Sequence, residues 1–574
     1  MIRSNAIPVK IRNIVLAFSC IGIAGSCAAL IPQVRYALIA AGEIILRKIL
    51  HKTLNRDAWN LQLQILSIAG FLVSGLGLLC VSSKFPASRL PSGKKALYGI
   101  EIALTAFFLL ETLILAAVNQ SVWVDEAYSL APVRLPWREL IRIQSADVHP
   151  PFYALVLKLW ANLFGDNIFA MKTVSVLPAL LTLLCVTRFL NQEFSRKSAV
   201  VFLLCSIASE SIIHFSVEIR MYAWAFFFVT MTAISAWYII TSGKTRWYAA
   251  FLLFAEGAAY THIYAGLTAG IAYLLLFCYV LKRDRKKLVK TLILAPLAVI
   301  LYLPWLSIVI GSFTRAANDF WIQPITLRSI AEYAAFVFRA GNLFLTLVFF
   351  LLFLAVFVFF LKKIKTEKDW FAFASLSCII ILAGVGIAVS LAIRPLLVAR
   401  YLFPAYGLVW LFFAIVCGSI HKRALVFVCG VLIVLGSATF SISLYKERKE
   451  NSDFTRFYQY LKTEIRPQDI FIFIPKEVPH LPAITAYLFP GHTQAHEIKK
   501  SGFGDFSDLF RKAVDTTVVE YADLSSGEFQ GRSAWIIALE KQDASASAVV
   551  STESGAKFLG DFGWGFYRFK LYKK

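Results

Sequence analysis

Apolar segments long enough to cross a membrane recur along most of the chain, and no other feature limits its fold so strongly. They fall near 14–32, 61–82, 97–118, 168–190, 198–215, 221–241, 247–261, 263–281, 289–310, 342–361, 371–393, 398–418 and 423–444. About twenty apolar residues in a helix cover the roughly 30 Å hydrocarbon layer of a bilayer. Inside that layer the backbone must pair with itself, which leaves helices or closed barrels. Barrel strands alternate in polarity, whereas these segments are continuously apolar. The chain therefore reads as an all-α polytopic membrane protein with about thirteen transmembrane helices. Composition agrees: of 574 residues 58% are hydrophobic and 16% charged, against about a quarter charged in soluble proteins.

The net charge of +23 would suggest nucleic acid in a soluble chain. Here the cations sit between apolar segments, as the positive-inside rule requires of cytoplasmic loops, so no nucleic-acid partner is expected. Arg188 with Arg196 and Lys197, Lys244 with Arg246, Lys282 to Lys287, Lys362 with Lys363 and Lys365, and Lys422 with Arg423 all fall on one side of a regular alternation. That alternation puts loop 119–150 and the C-terminal part outside. The basic stretch Arg47 to Lys52 runs against it and reads as an interfacial helix or a partly inserted segment. All nine cysteines lie in or beside apolar segments, so no disulfide framework or cysteine metal site is expected.

The organisation expected is threefold. Residues 1–96 hold extra transmembrane helices, beginning with a retained signal-anchor after Arg3, Lys10 and Arg12. Residues 97–445 form the transmembrane core. Residues 446–574 are mixed in character and form a small C-terminal extracytoplasmic α/β domain. In it Asp453 to Lys462 has helical periodicity, Asp469 to Ile474 and Ala534 to Leu539 read as buried strands, and Phe566 to Leu571 alternates like an edge strand. In loop 119–150, Trp137, Leu140 and Ile141 stand at i, i+3 and i+4, the pattern of a short helix on a membrane surface. Residues 151–164 are apolar but short, and also suit an interfacial helix.

Polar residues gather on the outer side. Asp125-Glu126 directly follows an apolar run; the plain explanation is a helix cap. A carboxylate desolvated against a membrane bundle is also suited to proton abstraction. Arg220 in Glu218-Ile219-Arg220-Met221-Tyr222 has a plain role as a snorkelling anchor, but an arginine facing the bundle interior is a natural partner for phosphate. His262 breaks a long apolar stretch, either as hydrogen-bonded structure or facing the outer cavity. Arg400, in Val398-Ala399-Arg400-Tyr401-Leu402-Phe403-Pro404, would complete a cationic pocket with Arg220 opposite Asp125. At the far end of the loop stand Asp147, His149 and Lys158 around Pro150-Pro151, which can open a helix.

Taken in order, Val124-Asp125-Glu126-Ala127-Tyr128, Asp147-Val148-His149-Pro150-Pro151-Phe152-Tyr153, Glu218-Ile219-Arg220-Met221-Tyr222-Ala223, Tyr260-Thr261-His262 and Ala399-Arg400-Tyr401-Leu402-Phe403-Pro404 form a series. In it the chain resembles the bacterial C-type glycosyltransferases of the protein-O-mannosyltransferase and aminoarabinose-transferase superfamily, over roughly residues 97–420. The resemblance implies transfer of a sugar from a polyprenyl-phosphate carrier to an acceptor outside the cytoplasm, at the cytoplasmic (inner) membrane of the cell. Asp125 matches the family's general base and Glu126 its support. Arg220 and Arg400 are the candidates for stabilising the leaving phosphate. His149, Lys158 and His262 are further substrate-binding candidates, with Tyr153, Tyr222 and Tyr401 from the same motifs. Two departures stand out: about ninety-six residues precede the family's usual start, and Ile219 occupies a position where alanine is expected.

The acceptor implied is a protein, lipid or polysaccharide hydroxyl. No cofactor is expected, the lipid-linked sugar being a substrate. No Asp-x-Asp pair stands in the loop, and Asp125-Glu126 alone is a thin ligand set for a hard cation, so a metal-independent reaction is expected. A transporter or flippase of lipid-linked glycans is the competing class. Transporters commonly carry internal repeats and matched broken helices, and no clear repeat appears here.

Overall fold

A computed structural model describes residues 92–146, 149–315, 322–362 and 366–466, and within the C-terminal part 469–474, 489, 493–495, 518–519, 534–539, 557–564 and 567–573. The expected segments 14–32 and 61–82, the basic stretch Arg47 to Lys52, and Asp147 lie outside the described residues.

The helices are α1 (Ser92–Val118), α2 (Val124–Leu130), α3 (Trp137–Ala146), α4 (Phe152–Phe164), α5 (Ile168–Glu193), α6 (Arg196–Ala208), α7 (Glu210–Phe215), α8 (Tyr222–Ser242), α9 (Thr245–Ala259), α10 (Ile263–Arg283), α11 (Leu288–Arg315), α12 (Leu327–Val337), α13 (Leu343–Leu361), α14 (Glu367–Ala392), α15 (Tyr406–Gly418) and α16 (Lys422–Glu464). Among the described residues nine helices are long and apolar enough to span a bilayer. Two expected segments fall short of that length. Segment 198–215 breaks at Ser209, whose hydroxyl caps a new helix by accepting from the Ile212 amide, and segment 247–261 is the fifteen-residue α9.

The chain divides into two compact units. The first comprises the chain up to Ala117 with Lys158–Ala298 and Pro324–Ser441. Its centre is α8 with α5 and with α15, which is buried along almost its whole length. Close approach here needs small residues, as is usual between membrane helices. Any Cβ on Gly407 would collide with the Thr230 hydroxyl of α8. Helix α13 is the most apolar, with mean hydropathy 3.1, yet only 28% of its apolar window is buried. Leu343, Phe344, Leu347 and Leu351 stand exposed on it. In water such a stripe is a liability; against lipid tails it is the natural outer surface of a span.

The basic loops meet at one end of this unit. Glu101 of α1 receives Asn191 at 2.9 Å and pairs with Arg196 at 3.2 Å. Tyr279 of α10 donates to Glu367 at 2.9 Å, Lys287 to the Ile240 carbonyl at 2.5 Å, and Lys368 to the Glu193 carbonyl. The clustering that the charge pattern predicts is thus present as contacts.

The second unit comprises Val118–Leu157, Val299–Gln323 and Ile442–Lys574. The short helices α2 and α3 lie in it, and α3 buries Leu140 and Ile143 while Trp137 and Ile141 stand exposed. The helix expected over Asp453 to Lys462 is the end of α16. The C-terminal part forms a six-stranded sheet of β1 (Ile470–Ile474), β2 (Thr493–Ala495), β3 (Val518–Val519), β4 (Ala534–Leu539), β5 (Lys557–Trp564) and β6 (Tyr567–Lys573), in the order β3-β2-β1-β4-β6-β5. β1 runs parallel to β2 and β4, and β6 antiparallel to β4 and β5. The strand at 567–573 is therefore not the edge strand that its alternation suggests. β5 takes the edge, with a bulge at Phe558/Gly560, and its glycines hide it from a propensity reading. At the foot of the sheet Trp535 donates to Asp469 at 2.9 Å while Lys573 lies over the indole.

Candidate functional site

The end of the first unit remote from the basic loops carries a dense polar and aromatic cluster. Arg220 sits in the tight turn between α7 and α8, and is 9% exposed. The turn is closed by the Arg220 amide donating to the Glu218 carbonyl at 2.8 Å. From α5, the Ser175 hydroxyl donates to the Glu218 carbonyl at 2.5 Å, and Trp224 donates to the Val174 carbonyl at 3.2 Å. Ile219, where the motif expects alanine, is fully buried beneath the turn.

His262 caps α10. Its Nδ1 accepts from the Tyr264 amide at 3.2 Å, which leaves Nε2 to carry the proton of a neutral imidazole. Its ring lies between Tyr222 and Tyr401, with centroids 5.6 and 5.2 Å away. The plain role expected of this histidine is thus present, since one ring nitrogen caps the helix, and the ring packs against two tyrosines of the cluster.

Arg400 and Tyr401 open the 3-10 turn Ala399–Ala405. The extended segment before it is tied by backbone contacts that side chains supply. Tyr264 donates to the Leu396 carbonyl at 2.7 Å, Tyr333 to the Leu397 carbonyl at 2.8 Å, and the Leu396 amide donates to the Ser390 hydroxyl at 3.0 Å. Burial pushes the Tyr333 phenol up, with Glu332 adding to it, so the donor persists at neutral pH. The charges of Arg400 and Arg220 both reach the Tyr222 hydroxyl, which is buried and has no hydrogen-bond partner among the described residues. Arg220, Tyr222, His262, Arg400 and Tyr401 therefore converge, from motifs far apart in sequence.

Asp125, Glu126, His149 and Tyr153 belong to the second unit. Asp125 is the second residue of α2 and half-buried. Glu126 is 3% exposed, and its carboxylate accepts from the Trp123 amide at 3.2 Å. The cap that would explain an acidic pair is real, and Glu126 forms it. The stretch entering α2 is fastened to the end of α16. Asn119 donates to Glu447, the Gln120 amide to Asn451 at 2.8 Å, and Ser121 to Glu450 at 2.8 Å. His149 is half-buried and Tyr153 buried. Lys158, on α4, is 6% exposed, and burial pulls its ammonium pKa down.

Three groups of residues escape the sequence reading. Ser175, Tyr264 and Tyr333 act through backbone carbonyls, which no motif records. The anchors Glu447, Glu450 and Asn451 lie far along the chain, although Asn119-Gln120-Ser121 at the end of a span is a visible signal. Glu210 is the third: buried in an expected span, it pairs with Arg339 at 3.2 Å and accepts from the Gly341 amide at 2.6 Å. Gly341 has φ of +77°, a conformation that only glycine adopts freely. Among the described residues no group of three or more His, Cys, Asp or Glu is arranged to hold a metal ion.

Residues 148–308 match the family model for dolichyl-phosphate-mannose-protein mannosyltransferase. No curated protein matches the sequence. Among solved structures the chain is similar to ArnT from Cupriavidus metallidurans in its apo state, with TM-score 0.58 and 11% identity over 83% of this chain and 98% of that one. It is likewise similar to ArnT of that organism bound to undecaprenyl phosphate, with TM-score 0.54 and 12% identity over 82% and 97% of the two chains. The protein is thus a multi-pass membrane protein with the C-type glycosyltransferase fold. Its fold is like that of the ArnT structures, and its likeness in sequence to the mannosyltransferase family covers residues 148–308, which include the His149, Arg220 and His262 motifs.

Proposed function

We propose that the protein is an integral-membrane glycosyltransferase that takes a sugar from a polyprenyl-phosphate carrier and passes it to an acceptor hydroxyl outside the cytoplasm. The observation that carries this reading is the convergence of Arg220 and Arg400 with Tyr222, His262 and Tyr401 at the end of the bundle away from the basic loops. Paired guanidinium groups in a partly desolvated site suit a phosphate, whose negative charge grows as it leaves. The likeness to an ArnT structure holding undecaprenyl phosphate supports a polyprenyl-phosphate donor. The basic loops are the cytoplasmic side in this reading, and the cluster with the acidic pair lies outside, at the inner membrane.

In the proposed step the acceptor oxygen attacks the anomeric carbon as the bond from that carbon to the phosphate oxygen breaks. The electron pair leaves with polyprenyl phosphate, stabilised by Arg220 and Arg400. Asp125 takes the acceptor's proton, and the anomeric centre inverts. Glu126 holds the helix start that presents Asp125. The acceptor is a protein, lipid or polysaccharide hydroxyl, and the sugar a hexose or pentose.

Purified protein with labelled polyprenyl-phosphate sugars and membrane-extract acceptors tests this directly. Wild type should transfer label, and Asp125→Asn should lose about 100-fold or more of the turnover, as removal of a general base does, while still binding the carrier. Full turnover in that variant excludes Asp125 as the base. Translocation of labelled lipid in vesicles without any transfer indicates the flippase class instead.

A further inference from the structure

The basic end of the first unit carries a groove that the proposed transfer reaction does not use. A groove of about 680 Å³ runs over α8 between α5 and α9. Arg188 of α5 and Arg246 at the start of α9 stand on its two sides. The Tyr238 hydroxyl on α8 feels the Glu193 carboxylate first and then the charges of both arginines, so the groove holds two cations against one acid. The floor is the stacked pair Tyr238 and Trp247, with centroids 4.2 Å apart and planes at 13°. The Arg246 guanidinium sits 5.1 Å from the Trp247 ring centre, and Tyr238 donates to Gln192 at 3.3 Å. Away from the basic end the lining becomes apolar through Ile234, Met231 and Cys185. From Tyr238 to Met231 is two helical turns, roughly 10 Å along the helix. The one acid in the lining, Glu193, accepts from the Trp237 indole at 3.1 Å, and its backbone carbonyl is met by Lys368.

A rim with two arginines and an aromatic shelf over an apolar depth complements an amphiphile with an anionic head. Basic pockets between helices on the positive side of a membrane protein are the usual seat of such lipids, and Trp and Tyr mark the headgroup level. We propose that this groove binds an anionic glycerophospholipid, with its phosphate between Arg188 and Arg246 and the start of an acyl chain along Ile234 and Met231. The site is distinct from the cluster around Tyr222. Sixteen residues of α8 separate Tyr222 from Tyr238, roughly 24 Å of helix. The lipid is a resident of the leaflet at the basic end and consumes no substrate, so its binding stands whether or not the transfer reaction does.

The test uses the full chain in detergent with native mass spectrometry, titrated with phosphatidylglycerol, phosphatidylcholine and undecaprenyl phosphate in turn. Wild type should take up one phosphatidylglycerol well ahead of phosphatidylcholine. Each arginine near a headgroup contributes about a fivefold change in affinity, so Arg188→Gln or Arg246→Gln should weaken binding about fivefold and the double variant about 30-fold. A control removes equal charge at the same end but away from the groove, as Lys362→Gln with Lys422→Gln, and should leave binding within about twofold. Circular dichroism and melting check that each variant folds. Equal uptake of both phospholipids overturns the proposal. So does an equal loss in the control, which would mean diffuse surface charge. Arginine-dependent binding of undecaprenyl phosphate in preference to phosphatidylglycerol overturns the assignment of the lipid.

Discussion

Removing the hydroxyls of Tyr264 and Tyr333 should weaken the reaction although neither is proposed to touch the substrate. Both donate to adjacent carbonyls, Leu396 at 2.7 Å and Leu397 at 2.8 Å, just before the turn that carries Arg400. The Ser390 hydroxyl supplies a further side-chain anchor on that segment. Each bond contributes about 1 kcal/mol net, and the carbonyl left behind is poorly hydrated. If both act on the placement of Arg400, the double change raises the barrier by about 2 kcal/mol, roughly 30-fold in kcat/KM. Tyr264→Phe and Tyr333→Phe alone should each cost about fivefold on the same scale. The assay is transfer of labelled sugar by wild type, both single variants and the double, as a double-mutant cycle. Melting curves should move only slightly, because the phenyl rings stay packed. Transfer by the double variant within twofold of wild type would refute the claim that these hydroxyls position Arg400. A loss of activity matched by loss of folded protein would refute it as well, by making the bonds purely structural.

Further outcomes follow from other contacts. Gly407→Ala should destabilise the first unit by about 1–3 kcal/mol through overpacking, seen as a lower melting temperature, and Thr230→Ala in the same chain should restore part of it because the colliding hydroxyl is removed. Glu210→Gln should cost about 1–2 kcal/mol by weakening the contact to the Gly341 amide. Arg339→Gln should cost less than about 1 kcal/mol, since its side chain is 48% exposed; the reverse order would contradict the assignment of the Gly341 contact as the stronger one. Chelation of divalent metal should leave transfer intact, as an acidic pair alone is a thin ligand set for a hard cation. Activity lost on chelation and recovered with added metal would overturn that expectation.

How much was legible in the sequence depends on the range of the interaction. Hydropathy is local, so most spans and the gathering of basic loops at one end could be read from residue order. Breaks that depend on a tertiary partner could not: segment 198–215 divides at Ser209, and the Glu210 amide beyond it donates to the Arg339 carbonyl. The acidic pair was legible as a cap or as chemistry, but not that Glu126 is the member bonded to the Trp123 amide. Arg220 and Arg400 could be picked out as arginines on the less basic side, and topology alone suggested that they share a pocket. That Tyr222 lies within reach of both charges was not legible, because sequence separation carries no distance. The strand at 567–573 was visible by its alternation, while its place inside the sheet depended on a glycine-containing neighbour that reads poorly as a strand.

The most direct test of the central claim is the affinity of the purified protein for undecaprenyl phosphate, measured for wild type, Arg220→Gln, Arg400→Gln and the pair. A charge-assisted contact to phosphate is worth about 1.5–3 kcal/mol, so each change should weaken binding roughly 10- to 100-fold. Because both arginines serve one phosphate, the double variant should lose less than the product of the single effects. Wild-type affinity in the double variant would contradict the account.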